Sequence, residues 1–260
     1  MMRLLFVLTL SLVLSAGCFA WADAEPELHF LTEHSPPSQY LNETGQIDGV
    51  TIQLILHLQQ QLDERLRFSL LPWARAMELA RAEPNTVLFE TVRTPAREAQ
   101  FQWVGPINYY DMQLYSLPEV VARPADFAAA RLRGCAYRSS AQLEYFKRLG
   151  FEEGRNLSVV ANAHECQVMA ERGRAEVIAL NALRYGEFFQ QGDVTLQRWQ
   201  PLYQSYLYLA FSKEVPAERV QRWQEALQQS YLDGTMRRLY QADYPVAMIE
   251  QLEQYWQAED

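Results

Sequence analysis

Tyr206-Leu207-Tyr208-Leu209-Ala210-Phe211 is an apolar run of strand length, and the helical stretch after it decides the fold. Val220, Trp223, Leu227 and Tyr231 recur at helical spacing, and beyond Pro245 the same pattern continues in Ile249, Leu252 and Trp256. Helices with one apolar stripe need a sheet face to cover. The preceding stretch, 118–205, reads as an α/β unit complete without them, so the terminal helices are expected to return to the unit formed by the start of the chain. The expected architecture is α/β with two lobes, the second inserted in the first. Two extended crossings near 112–120 and 203–211 would form a hinge, with a cleft for a small ligand between the lobes. The competing arrangement is one continuous α/β sheet with terminal helices.

Outward from that run, short apolar segments alternate with amphipathic ones. Strands are expected at 28–31, 66–71 and 86–89, with helices at 50–62 and 72–82 between them. After an extended stretch at 107–117 the rhythm restarts: strand 133–138, helix 141–149 closed by Gly150, strand 157–161, helix 164–171 closed by Gly173, strand 176–180. The resulting division is a first lobe of 23–115 with 208–260 and a second lobe of 116–207.

Residues 1–22 stand apart as a secretory signal. Arg3 gives a positive start, 4–16 is an apolar run too short to span a bilayer, and Ala20-Trp21-Ala22 fits small-x-small cleavage. Ser15-Ala16-Gly17-Cys18 resembles a lipobox, with Ser15 where an aliphatic residue is usual, so lipidation at Cys18 is the rival to simple cleavage. No later segment is apolar enough to anchor the chain, and it is expected to be secreted to a compartment where disulfides persist. There Cys135 and Cys166 would either form a disulfide or stand as two separate buried thiols.

Composition narrows the partners. The 260 residues are 49% hydrophobic, enough for a sizeable core, and a formal charge of -9 argues against nucleic acid and anionic membrane surfaces. Lys147 and Lys213 are the only lysines, so the basic chemistry is that of arginine, whose fork suits carboxylates. There is no G-x-S-x-G elbow, P-loop, G-x-G-x-x-G or H-E-x-x-H, and the four histidines form no metal-ligand spacing. Neither a metal nor another cofactor is expected, and the chain is read as a non-enzyme and a monomer.

Thr94-Pro95-Ala96-Arg97 opens a helix against the electrostatic rule. Thr94 suits an N-cap and Pro95 the first position, but Arg97 puts a cation at the positive end of the helix dipole. An anionic ligand would reverse that penalty; the alternative is that Arg97 reaches solvent or pairs with Glu98 or Glu90. In the second unit Ser139-Ser140-Ala141-Gln142 repeats the device, with Ser139 and Gln142 fitting a capping box.

These residues resemble the extracellular solute-binding proteins of family 3, the periplasmic receptors of polar amino-acid ABC importers, over essentially the whole chain after the signal. Leu28-His29-Phe30, Ser35-Pro36-Pro37-Ser38-Gln39-Tyr40 and Gly49-Val50-Thr51 are similar to the family's first strand, ligand loop and Gly-led helix. Thr94-Pro95-Ala96-Arg97, then Trp103-Val104-Gly105-Pro106-Ile107, is similar to its T-p-x-R and F-S-x-P-Y motifs. Ala136-Tyr137-Arg138-Ser139-Ser140 resembles its second-lobe strand and turn. Gly173-Arg174-Ala175-Glu176-Val177 resembles its g-r-v-D-a strand, with Asn181 where a ligand-binding Asp is usual.

The resemblance implies a type II periplasmic-binding-protein-like fold that closes on a small, carboxylate-bearing solute such as an amino acid. Arg97 would clamp the carboxylate, with Thr94, Ser139 and Ser140 beside it, and an inner-membrane ABC permease would receive the cargo. Asn181 cannot supply the charge that neutralises an α-ammonium group. Trp73 either stacks on the ligand or anchors its helix, Tyr40 sits near the cleft mouth, and Glu33 either meets the ligand or joins a surface ion pair, as does Arg93. Two other classes stay open: a dehydratase-like enzyme using Glu33 or Glu90 as acid or base, and a sensory module docking on a membrane receptor.

Overall fold

The computed structural model describes residues 25–120 and 131–257. The signal segment and Cys18 lie outside the described residues.

The chain starts with β1 (Leu28–Thr32), a small hairpin of β2 (Tyr40–Leu41) and β3 (Ile47–Asp48), α1 (Val50–Leu62), β4 (Leu66–Leu70), α2 (Trp73–Ala82) and β5 (Thr86–Val92). Every residue of β1 and β5 is buried, as strands covered on both faces must be. A single turn, α3 (Pro95–Glu98), leads into β6 (Gln102–Ser116). The second unit contains β7 (Gly134–Tyr137), α4 (Ala141–Arg148), β8 (Leu157–Val160), α5 (Ala163–Glu171), β9 (Val177–Asn181), the turn α6 (Ala182–Tyr185) and β10 (Phe188–Gln191). β11 (Val194–Phe211) then returns to the first unit, and α7 (Ala217–Leu232), α8 (Thr235–Tyr240) and α9 (Val246–Gln257) end the chain.

The strand order β4-β1-β5-β11-β6-β9-β7-β8 shows how the lobes are joined. β6 has 15 residues and β11 has 18, and they pair antiparallel from Phe211↔Gln102 to Gln197↔Ser116. At about 3.4 Å per residue these strands are long enough to serve both lobes, so one hydrogen-bonded path crosses a two-lobed molecule. The cores nevertheless separate. Phe30, Phe89 and Phe211 pack with Trp223, Leu227, Ile249 and Leu252 from the terminal helices. Met112, Phe146, Phe151, Val177 and Trp199 form another cluster around the inserted unit. The terminal helices thus return to the first lobe, as their apolar stripe requires.

Two departures from the sequence reading have local causes. The crossing expected at 203–211 begins at Val194, because Pro201, which cannot donate to a ladder, sits at a register shift between Pro201 and Tyr203 and interrupts the alternating pattern without ending the strand. The continuous helical register is instead divided: Gly234, with φ 73, separates α7 from α8, and Pro245 precedes α9.

Gly49, at the start of α1, has φ 130, and a Cβ there would overlap the Ser38 carbonyl oxygen and lie 2.7 Å from that of Pro37. Those carbonyls accept from Val50 N and Thr51 N at 3.0 Å, tying the 35–39 loop to the helix. Gly49→Ala is therefore expected to cost about 1–3 kcal/mol in denaturant unfolding. The structure also joins Cys135 in β7 to Cys166 in α5, with Cα atoms 5.4 Å apart and a sequence separation of 31. Changing both to serine is expected to remove about 3 kcal/mol, read as a lower midpoint under non-reducing conditions.

Candidate functional site

The carboxyl ends of the parallel strands of both lobes face each other across the hinge, the usual position for a ligand in open α/β sheets. Glu33 follows β1, Arg97 follows β5, Ser139 and Ser140 follow β7, and Asn181 ends β9. Between them lies a cavity of about 250 Å³. Glu33, Trp73, Arg97, Ser140 and Asn181 all line it.

Bonds across the cleft hold the lobes together. Trp73 Nε1 donates to the Ser139 carbonyl at 2.9 Å, and an Arg97 terminal nitrogen donates to the same oxygen at 2.9 Å. The other Arg97 terminal nitrogen donates to Val92 O at 3.0 Å, and the guanidinium lies 5.8 Å from the Trp73 ring centroid. Arg97 is 2% exposed, and burial lowers its pKa. Tyr137 OH donates to Glu33 Oε1 at 3.0 Å.

Trp73 packs with Leu31, Met77 and Phe101, which anchors its helix, and it also lines the cavity. Neither Glu98 nor Glu90 is Arg97's partner; Arg93 takes Glu98, at 2.6 Å.

Three of the sequence-derived residues stand elsewhere. Tyr40 is outside the cavity lining, paired with Asp48 in the hairpin that carries it. Thr94 precedes α3, but its hydroxyl makes no capping bond and is buried without a partner; its carbonyl accepts from Arg97 N and Glu98 N. Ser139 contributes its carbonyl, because it adopts a left-handed backbone, φ 61, and Ser140 is the N-cap of α4 in its place. Ser140 Oγ accepts from Leu143 N at 3.1 Å and donates to Tyr137 O at 2.7 Å. Asn181 Oδ1 accepts from Leu183 N and Asp111 N, both at 3.2 Å.

The sequence reading missed the phenol lining: Tyr110, Tyr137, Tyr203 and Tyr244 surround the cavity. For Tyr110 and Tyr203 the signal was present in Tyr109-Tyr110 and in the alternation around Tyr203, but a tyrosine in a strand faces either side with equal ease. Burial raises the pKa of each, so they act as neutral hydroxyls.

Burial also raises the Glu33 pKa from 4.5 to about 7, against the opposing effect of the Tyr137 hydrogen bond. The folded state thus holds this proton more tightly than the unfolded chain. The stabilisation it gives is complete below pH 4.5 and is lost as pH rises through about 7. Without ligand, the melting temperature is expected to fall over that window in the wild type and to fall less in Glu33→Gln.

Among the described residues, no group of three or more His, Cys, Asp or Glu could hold a metal ion, and no helix is long and apolar enough to cross a membrane.

The architecture is widely shared among solved structures. An ancestral arginine-binding protein bound to arginine is 17% identical, with a TM-score of 0.71 over 84% of this chain and 98% of its own. A histidine kinase sensor domain with similarity to periplasmic binding proteins is 13% identical, with a TM-score of 0.70 over 84% and 98%. An ancestral amino acid-binding protein, a precursor of cyclohexadienyl dehydratase, is 16% identical, with a TM-score of 0.68 over 84% and 95%. At these identities the likeness is one of fold. No curated protein matches the chain. Residues 28–242 match the model of one family, and the chain belongs to it: the bacterial extracellular solute-binding proteins, family 3.

Proposed function

We propose that this protein is a periplasmic receptor that captures a small polar, carboxylate-bearing solute, an amino acid or a relative of one, and passes it to an ABC permease. The observation that carries this reading is the cavity between the lobes, lined by charged side chains and closed by bonds from Trp73, Arg97 and Tyr137. Arg97 is the clamp for the carboxylate; Trp73, Ser140 and Asn181 complete the walls, and the Ser139 carbonyl latches the lobes. Tyr40 and Thr94 act, in this reading, on the loops that carry the wall rather than on the ligand. The lobes are assigned as 23–115 with 208–260 and 116–207, preceded by a signal at 1–22, and the receptor works as a monomer.

Closure is a shift in population. Each bond across the cleft contributes about 1 kcal/mol and exists only when the lobes meet, so a solute touching both sides favours the shut state. A thermal-shift screen over amino acids, dicarboxylates and polyamines tests the reading. One class should raise the melting temperature, since saturation at about 100 times Kd adds about 2.7 kcal/mol. No response across the screen would refute it.

Glu33, with its pKa raised to about 7 in a closed cavity, supports a second reading, a dehydratase-like enzyme using it as acid or base. Turnover of a carboxylic acid by the purified protein, lost in Glu33→Gln, would establish that reading over the first.

A further inference from the structure

Glu90 lies within β5 yet has φ 55, a left-handed conformation that a long side chain rarely adopts. The residue is 7% exposed and lines the cavity. Its carboxylate is gripped by neutral donors. Thr51 Oγ1 donates to Oε1 at 2.6 Å, Asn108 Nδ2 to Oε2 at 2.9 Å, and Tyr110 OH to Oε2 at 3.4 Å.

Glu33 is in the same condition, with Tyr137 OH as its donor, and no cation is among the groups acting on either carboxyl. Arg97 also lines the cavity, but its terminal nitrogens donate to main-chain carbonyls. A third acceptor is unused: Gln39 lines the cavity at 0% exposure, and its Oε1 has no partner. The cavity therefore holds two carboxyls without counter-charges and an amide oxygen without a donor. A buried acceptor left unmet is costly, and a ligand bearing N–H groups and positive charge relieves all three at once.

We propose that Glu90, with Glu33 and Gln39 lining the same cavity, receives a cationic group of the ligand, an ammonium or a guanidinium. This rests on the receptor reading above and supplies what Asn181 cannot, a negative charge from the first lobe. Such a group requires ionised carboxyls, and burial raises the pKa of both. Tyr137, Tyr110 and Tyr203 face Glu33, while Tyr110, Tyr240 and Tyr244 face Glu90; all of these phenols are neutral at working pH. The remaining titratable groups of the wall besides Arg97 are Arg184, Tyr185, Asp243 and His34. Binding a cation thus releases protons, and affinity for it should fall on acidification, Glu33 taking up its proton as the pH drops through about 7.

The test measures L-lysine, L-arginine, putrescine and succinate by melting temperature and calorimetry, at about pH 8 and about pH 5.5. The wild type is compared with Glu90→Gln and Glu33→Gln, each checked for an unchanged fold by its unliganded melting curve. At least one cationic probe should bind at the higher pH, weaken on acidification and lose about tenfold or more in Glu90→Gln. Glu33→Gln gives a second reading should Glu90→Gln fail to fold. Binding of succinate alone would overturn the inference and leave the receptor reading standing. So would a cationic probe that binds both variants as tightly as the wild type or binds more tightly in acid. Silence from every cationic probe would overturn the inference, and the receptor reading falls with it only if the wider screen is silent too.

Discussion

Arg97→Ala is expected to weaken ligand binding by about 2–5 kcal/mol, the usual cost of removing one partner from a buried charged contact. The side chain has 2% exposure and donates to Val92 O on its own lobe and Ser139 O on the other. Its loss therefore removes both the clamp and a latch. Arg97→Lys separates these effects: it keeps the charge but loses the fork that reaches two oxygens at once. Calorimetry on both variants should show Lys recovering only part of the affinity lost in Ala. An alanine variant that binds as tightly as the wild type would remove Arg97 from the account.

The second large effect falls on stability. Arg219 is 1% exposed in the first turn of α7, and Glu64, 7% exposed, follows α1. Arg219 Nε donates to Glu64 Oε1 at 2.9 Å, one terminal nitrogen donates to Glu64 Oε2 and to Pro26 O, and Glu25 lies 3.1 Å from Nε. Arg219→Ala leaves the Glu64 carboxylate buried with only the Arg222 guanidinium, 3.8 Å away, beside it, and should cost about 3–5 kcal/mol in denaturant unfolding. Replacing both residues by apolar side chains of similar volume should recover much of that loss, because the unpaired charge is then gone as well. A single variant within about 0.5 kcal/mol of the wild type would contradict this.

Arg97 and Arg219 also show how far a sequence carries. Both sit in the first turn of a helix beside a proline, and both oppose the helix dipole. The same local signal marks the wall of a cavity in one case and an ion pair inside a lobe in the other. Only the three-dimensional surroundings separate them. The lobe layout was legible because the stripe of Val220, Trp223 and Leu227 had to cover a sheet, and the first unit had the face to offer. The starts of α1 and α4 were nearly legible too. At α4 one residue in a left-handed conformation moved the cap from Ser139 to Ser140 and turned a carbonyl toward Arg97.

Glu90 was the hardest to place. An alternating strand pattern assigns each side chain to a face, and a left-handed residue inside β5 breaks that alternation without altering composition. Tyr110 and Tyr203 were hidden by the length of β6 and β11, whose register shifts decide which tyrosines turn inward, and Tyr244 by its place between α8 and α9, outside any periodic element.

The central claim is that a solute is held between the lobes by groups from both. The most direct measurement is a co-crystal structure with the compound giving the largest rise in melting temperature. The ligand is predicted to fill the cavity, with a carboxylate on Arg97 and the Ser140 side of the second lobe closed over it. A ligand bound outside that cavity, or one touching a single lobe while the other stays apart, would contradict the account.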